Sequence, residues 1–222
     1  RRIKKINFTV LNEKNEKNKL LSYLNSLEKK DYAESKDNNK TAFIFITNRC
    51  QAKCQHCFYI DELNKAIQDE LSLEDYRKLA KNLEKEIKQV IITGGEPFLR
   101  KDIFEISKAF LKIKHLQSIN FITNGLLTKR VLEDMEKMLK FASRNKRFVI
   151  NISLDGLESK HDKIRGIPGM FKKCMATIDG LKKLRKKYPN LEVSGLTTLT
   201  KDNLDDVKLL NDYVENDLNI YH

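Results

Sequence analysis

Long hydrophobic runs are missing from this sequence. No apolar stretch approaches the ~20 residues a membrane-spanning helix needs, so a membrane partner is not expected. Nor does the chain open like an exported one. The basic start from Arg1 to Lys5 leads into the polar segment from Asn12 to Lys19, where a signal peptide would be apolar. Cysteine is scarce, with four in 222 residues, three of them clustered. Such a set is no disulfide framework and points to a reducing compartment, most simply the cytoplasm. Internal repeats are absent by residue identity. Acidic residues fall short of basic ones, 31 against 43, leaving a net charge of +12. Nucleic acid would suit that charge. However, Lys182, Lys183, Arg185, Lys186 and Lys187 ring one predicted helix and have no interleaved aromatics to stack bases. Solvated helix faces are the favoured reading, and a nucleic-acid partner is not expected.

What is present suits one globular core: 40% hydrophobic residues in a chain of 222. Residues 1–40 read as an N-terminal extension. Ile3, Ile6, Phe8 and Val10 suggest a short strand or arm, Leu20, Leu21, Leu24 and Leu27 a helix, and 31–40 a linker. The chain begins with Arg1 and not Met, so a fragment or trimmed chain is expected. From residue 41 to 222, apolar runs alternate with amphipathic helices. The strands expected are 42–47, 89–93, 118–123, 148–154 and 192–199, with a sixth beginning at 218–221. Their Ile, Val and Phe content, mostly without alternation, predicts parallel strands covered on both faces. Helix starts are read at Ser72, Asp102, Thr128, after Gly169, and at Asp202 or Asn203. The first of these helices carries Leu73, Tyr76, Leu79, Leu83 and Ile87 on one face. This βα repetition predicts right-handed parallel crossovers, with too few units to close an eight-stranded barrel.

The apolar run from Ala42 to Ile46 leads directly into Cys50-Gln51-Ala52-Lys53-Cys54-Gln55-His56-Cys57. Three thiolates at i, i+4 and i+7 are soft ligands for zinc or an iron–sulfur cluster. Three is one short of a closed zinc site or of the four irons of a [4Fe–4S] cube. Cys174 is distant and reads as a small core residue. The expectation is a metal site with one open position. A structural zinc site completed by His56 or His115 is the competing reading. After the next apolar run comes Thr93-Gly94-Gly95-Glu96-Pro97. Its bare backbone can approach a ligand, Glu96 adds an anionic acceptor, and Pro97 stops the strand.

The spacing C-x-x-x-C-x-x-C together with Gly-Gly-Glu-Pro resembles the signatures of the radical S-adenosylmethionine (SAM) enzymes, over about residues 43–200. The resemblance implies an α/β fold, a partial (β/α)6-type TIM-like barrel of five to six parallel strands. The chain ends where a sixth strand would start, so a truncated or minimal core is expected. It also implies that Cys50, Cys54 and Cys57 hold a [4Fe–4S] cluster whose fourth iron is chelated by SAM. Reductive cleavage of SAM would give methionine and a 5′-deoxyadenosyl radical that abstracts hydrogen from a small-molecule or peptide substrate. A reduced flavodoxin or ferredoxin-type donor and an oxygen-poor setting are implied as well.

By the same resemblance, Gly94, Gly95, Glu96 and Pro97 grip the methionine part of SAM, and His56 and Phe58 pack near the adenine. Simple burial competes for Phe58 and Tyr59, and metal ligation for His56. Asn124 is either a left-handed turn residue or a SAM contact. Ser153 and Asp155 share a strand face and suit a ribose diol, though Asp155-Gly156 is also a turn signal. Arg165 matches the SAM carboxylate, with a surface arginine as the alternative. Leu196 fits an apolar wall against the adenine. The stretch from Cys57 to Asn64 resembles a branch linked to SPASM- or twitch-type C-terminal domains, but this sequence has too few cysteines for an auxiliary cluster. A non-catalytic iron–sulfur or zinc module, sensing redox state or binding nucleic acid, is the alternative from another class.

Overall fold

The computed structural model describes residues 40–65, 70–85 and 87–222. The arm, helix and linker expected before residue 40 lie outside them. Strands β1 (Lys40–Phe45), β2 (Ile87–Thr93), β3 (Ser118–Thr123), β4 (Arg147–Ser153) and β5 (Leu191–Leu196) form one sheet in chain order. All four pairings are parallel. The crossovers carry helices α1 (Leu73–Leu83), α2 (Ile103–Leu111), α3 (Thr128–Phe141), α4 (Glu158–Arg165) and α5 (Met170–Lys187). After β5, α6 (Val207–Asp212) and a π-helical turn (Tyr213–Asp217) lead to Tyr221, which bridges in parallel to Ser194. This single bridge lies within the run 218–221 where a sixth strand is expected to begin; the sheet itself has five strands among the described residues. A parallel sheet in chain order, with helical crossovers between its strands, is an open arc of a TIM-like barrel.

Adjacent register rows show which face the helices cover. Ile44, Ile92, Phe121, Ile150 and Val193 stand in one row, and none is more than 7% exposed. One residue earlier, Phe43, Ile91, Asn120, Val149 and Glu192 form the opposite row, in which Phe43 is 62% exposed. Coverage on both faces, expected from the apolar runs, is thus corrected. Only the helix-side row is fully apolar and sealed, because side chains alternate faces along each strand.

Helix starts follow the sequence in part. Ser72 and Asp75 form the capping box of α1, each accepting from the other's backbone N–H. Ile87 opens β2 and is not on α1. Asp102 makes no cap bond, because Arg100 takes its carboxylate with Nε at 2.9 Å. Thr128 lies inside α3, and its hydroxyl bonds Thr177 at 2.7 Å. Helix α6 starts later than Asp202 or Asn203 suggested, because Asn203 uses its amide to hold Asp155. Helix α4 carries no expected start. Leu157, at the cap position just before it, offers no capping side chain. Among the described residues, no helix is long and apolar enough to cross a membrane.

Candidate functional site

The cysteine loop leaves β1 at the carboxyl edge of the sheet and is held from both sides. Ile46 N–H donates to Thr93 O at 3.0 Å, and Arg100 Nη1 donates to Ile46 O at 2.9 Å. Arg49 Nη2 meets Glu70 Oε2 at 3.0 Å. From β2, Gly95 N–H donates to Thr47 O at 2.8 Å and Glu96 N–H to Arg49 O at 2.7 Å. This contact explains the glycine pair. A Cβ on Gly94 would stand 2.3 Å from Thr47 O, and one on Gly95 would stand 2.3 Å from Arg49 O. Gly94 also sits at φ +135°, a conformation side chains disfavour. On the far side the loop is bonded to the end of α4. Lys53 N–H donates to Arg165 O at 3.1 Å, and Gln55 N–H to Ile164 O at 3.0 Å. Asn64 closes the loop by accepting from Cys50 N–H and donating to Cys50 O, each at 3.0 Å.

All three loop cysteines are free thiols. Burial pushes Cys50 up to about 11 and also raises Cys54, where the Arg165 guanidinium opposes the shift. Asn124 Nδ2 lies 3.9 Å from Cys50 Sγ, and Arg165 Nη1 lies 3.5 Å from Cys54 Sγ. Two donors thus face the sulfurs. Among the described residues, no three His, Cys, Asp or Glu side chains converge where one ion would sit. A structural zinc site would close its ligands on a single tetrahedral centre. A cluster takes one thiolate per iron and needs sulfurs set apart. Three unpaired thiols in one loop, with donors aimed at two of them, fit it.

Behind the loop lies a buried polar cluster. Asp155 is fully buried, and its Oδ2 stands 2.5 Å from Arg165 Nε. This contact is a charge pair without hydrogen-bond geometry, since neither atom has a hydrogen-bond partner. Thr198 N–H supplies Asp155 Oδ1 at 2.9 Å. His56 turns Nε2 toward Asp155 Oδ2 at 3.5 Å, and burial lowers its pKa. Glu96 is 0% exposed and accepts from Phe98 N–H, Thr123 Oγ1 and Asn124 N–H at 3.1, 2.8 and 2.7 Å. Burial nevertheless raises it to about 7. Its carboxylate therefore ties the ends of β2 and β3 together.

The remaining candidates gather at the same edge. Asn124 Oδ1 accepts from Leu126 N–H at 3.0 Å while Nδ2 reaches Gln51 Oε1 at 3.2 Å. Asn124 is thus both a turn residue and a loop contact, and the left-handed position falls on Gly125. Ser153 pairs in register with Leu196 across β4 and β5. Ser153 is buried, and Leu196 is 39% exposed. Phe58 is 87% exposed, which removes simple burial as its explanation, and Tyr59 is partly exposed. Pro97 opens a buried 3₁₀ turn (Pro97–Leu99). Arg165 is 8% exposed and so is no surface arginine. Cys174 is fully buried on α5, as expected of a core residue. The basic run on α5 is divided, with Lys182 donating to Leu218 O and Lys187 pairing with Glu136.

Sequence reasoning missed three residues here. Asn64 closes the cysteine loop, and its positive φ of 62° carried no pattern to find it. Asn203 donates to Asp155 O at 3.1 Å, but it read as a helix cap. His161 is fully buried beside Asp155. A histidine four residues before Arg165, on the same helical face, was its available signal.

Comparison with known proteins agrees with this geometry. The Radical SAM superfamily model matches residues 44–214. The Fe-coproporphyrin III synthase of Methanosarcina barkeri is 32% identical over 182 residues, 82% of this chain and 42% of that protein. A GTP 3′,8-cyclase of Peptoclostridium acidaminophilum is 30% identical over 180 residues, 75% of this chain and 53% of that protein. The chain spans about half the length of these relatives or less. Among solved structures, anSMEcpe with bound AdoMet aligns at a TM-score of 0.59 and 24% identity, covering 82% of this chain and 50% of that one. Streptococcus suis SuiB bound to precursor peptide SuiA aligns at 0.57 and 19%, covering 81% and 37%. At such identities these structures speak for the fold, a partial TIM-like barrel. With the family model matching well over half of its residues, the chain belongs to the Radical SAM superfamily.

Proposed function

We propose that this chain is the core of a radical SAM enzyme that binds a [4Fe–4S] cluster and cleaves SAM reductively. The observation that carries the reading is three free thiols in one loop, bonded by its backbone to the Gly-Gly-Glu-Pro segment at the carboxyl edge of a parallel sheet. Reactive groups of parallel barrels lie at that edge. Cys50, Cys54 and Cys57 hold the cluster. When bound, cluster and SAM supply one-electron cleavage to methionine and a 5′-deoxyadenosyl radical, which takes hydrogen from the substrate.

The chain's own residues bind and orient SAM. Glu96 already accepts from three protein donors and keeps acceptor capacity on Oε2, so it receives the α-ammonium together with the backbone of Gly94 and Gly95 beside it, with Pro97 fixing the turn. Arg165 commits Nε to Asp155 and Nη1 to Cys54, which leaves its Nη2 donors for the SAM carboxylate. Asn124, Ser153 and Asp155 offer polar contacts at the strand ends. His56, Phe58 and Leu196 supply walls for the adenine. The substrate is a small molecule or peptide, and a reduced flavodoxin or ferredoxin-type protein donates the electron. A reducing, oxygen-poor compartment such as the cytoplasm suits the open cluster.

The test is product formation. Iron-loaded protein given SAM and dithionite without air should release methionine and 5′-deoxyadenosine in equal amounts. A protein with a full cluster and no such release would leave only the non-catalytic reading.

A further inference from the structure

Two residues assigned above to SAM, Asn124 and Asp155, are joined from behind by side chains that the proposed reaction does not use. Asp155 N–H donates to His161 Nδ1 at 3.2 Å. That nitrogen is therefore an acceptor, and the proton of the neutral ring sits on Nε2. Burial keeps the ring neutral by lowering His161 to about 4. Nε2 lies 3.7 Å from Cys174 Sγ, and the Cys174 thiol donates to Asn124 O at 3.2 Å. Every bond in the chain runs in one direction, from β4 through α4 and α5 back to β3. Thr177, one turn after Cys174, adds a parallel tie by donating to Gly125 O at 2.7 Å. His161, Cys174 and Thr177 are each 0% exposed. The front of the same two residues faces the site. The Asp155 carboxylate meets Arg165 and His56, and the Asn124 amide meets Cys50.

We infer that His161 and Cys174 are positioning residues that hold the ends of β3 and β4 at the separation SAM requires. The inference rests on the SAM reading above. A thiol suits the central place because one sulfur accepts from the ring and donates to a carbonyl. An apolar side chain of similar size would fill the space and break both links. Cys174 is thus more than the small core residue its helical face suggests.

The test uses the iron-loaded chain and three variants: Cys174→Ala, Cys174→Ser and His161→Asn. SAM affinity is measured anaerobically by equilibrium dialysis, beside iron content and the exchange rate of the Asp155 amide. We expect Cys174→Ala to weaken SAM about tenfold, the scale of one lost hydrogen bond, with iron content unchanged. Cys174→Ser, which keeps a donor and an acceptor, should restore most of that loss. His161→Asn places an oxygen near the Nδ1 position, so it should keep the Asp155 amide protected yet bind SAM as weakly as Cys174→Ala. Wild-type affinity in both Cys174→Ala and His161→Asn would overturn the inference, even if their melting temperatures fall. If the iron-loaded wild type binds no SAM, the SAM reading itself has failed.

Discussion

Lys146 and Arg165 are buried to the same extent, each 8% exposed, at opposite ends of the sheet. Lys146 precedes β4 at the amino edge. Its ammonium donates to Ile113 O at 2.8 Å and Leu116 O at 2.9 Å, closing the loop before β3. Arg165 lies at the carboxyl edge, between the Asp155 carboxylate and the Cys54 thiol. One cation ends on backbone carbonyls, the other on groups that can change charge. Burial of a charge therefore does not mark the working end of this barrel; the chemistry of its partners does.

The comparison can be broken by substitution. The largest effect is expected from Cys54→Ser, or the same change at Cys50 or Cys57. Iron bound after anaerobic reconstitution should fall to near zero, as iron and sulfide assay would show. Arg165→Met comes next, because it strands a buried carboxylate. It should cost ~3–5 kcal/mol in urea unfolding and abolish SAM binding.

A smaller effect is expected from acid. His161 is held near 4, below its ordinary value, first by burial and then by Arg165. Its folded-state pKa is depressed, so its stabilisation is complete above about pH 6.5 and is lost as pH falls toward 4. The loss is roughly 3 kcal/mol at most. Unfolding curves at pH 7 and pH 4.5 should show a steeper decline for the wild type than for His161→Asn. The smallest effect is assigned to Lys146→Met, at ~1–3 kcal/mol for two stranded carbonyls. SAM affinity should not change in this variant. If Lys146→Met weakened SAM as Arg165→Met does, the contrast between the two ends would be lost.

The contrast also shows what was legible in the sequence. Strand β3 was read with its observed bounds, because an apolar run between turn signals leaves little choice. The cysteine spacing and Gly-Gly-Glu-Pro were legible as motifs, but the reason for the glycines was not. They let the loop backbone approach Thr47 O and Arg49 O, a contact between segments more than 40 residues apart. Glu96 read as a ligand acceptor; that its oxygens also accept from the ends of β2 and β3 was not legible. Lys146 gave no signal, since a lone lysine before a strand looks like any surface lysine until the loop folds over it. The pairing of Arg165 with Asp155 was equally hidden, although both residues were named for the same ligand. Such pairings depend on tertiary placement, which local patterns do not encode.

The most direct test of the central claim is the electron paramagnetic resonance spectrum of the reduced, iron-loaded chain before and after SAM is added. A [4Fe–4S] cluster with one open iron predicts a signal that changes shape with SAM and saturates at one equivalent per cluster. A spectrum indifferent to SAM, from protein carrying a full complement of iron and sulfide, would contradict it.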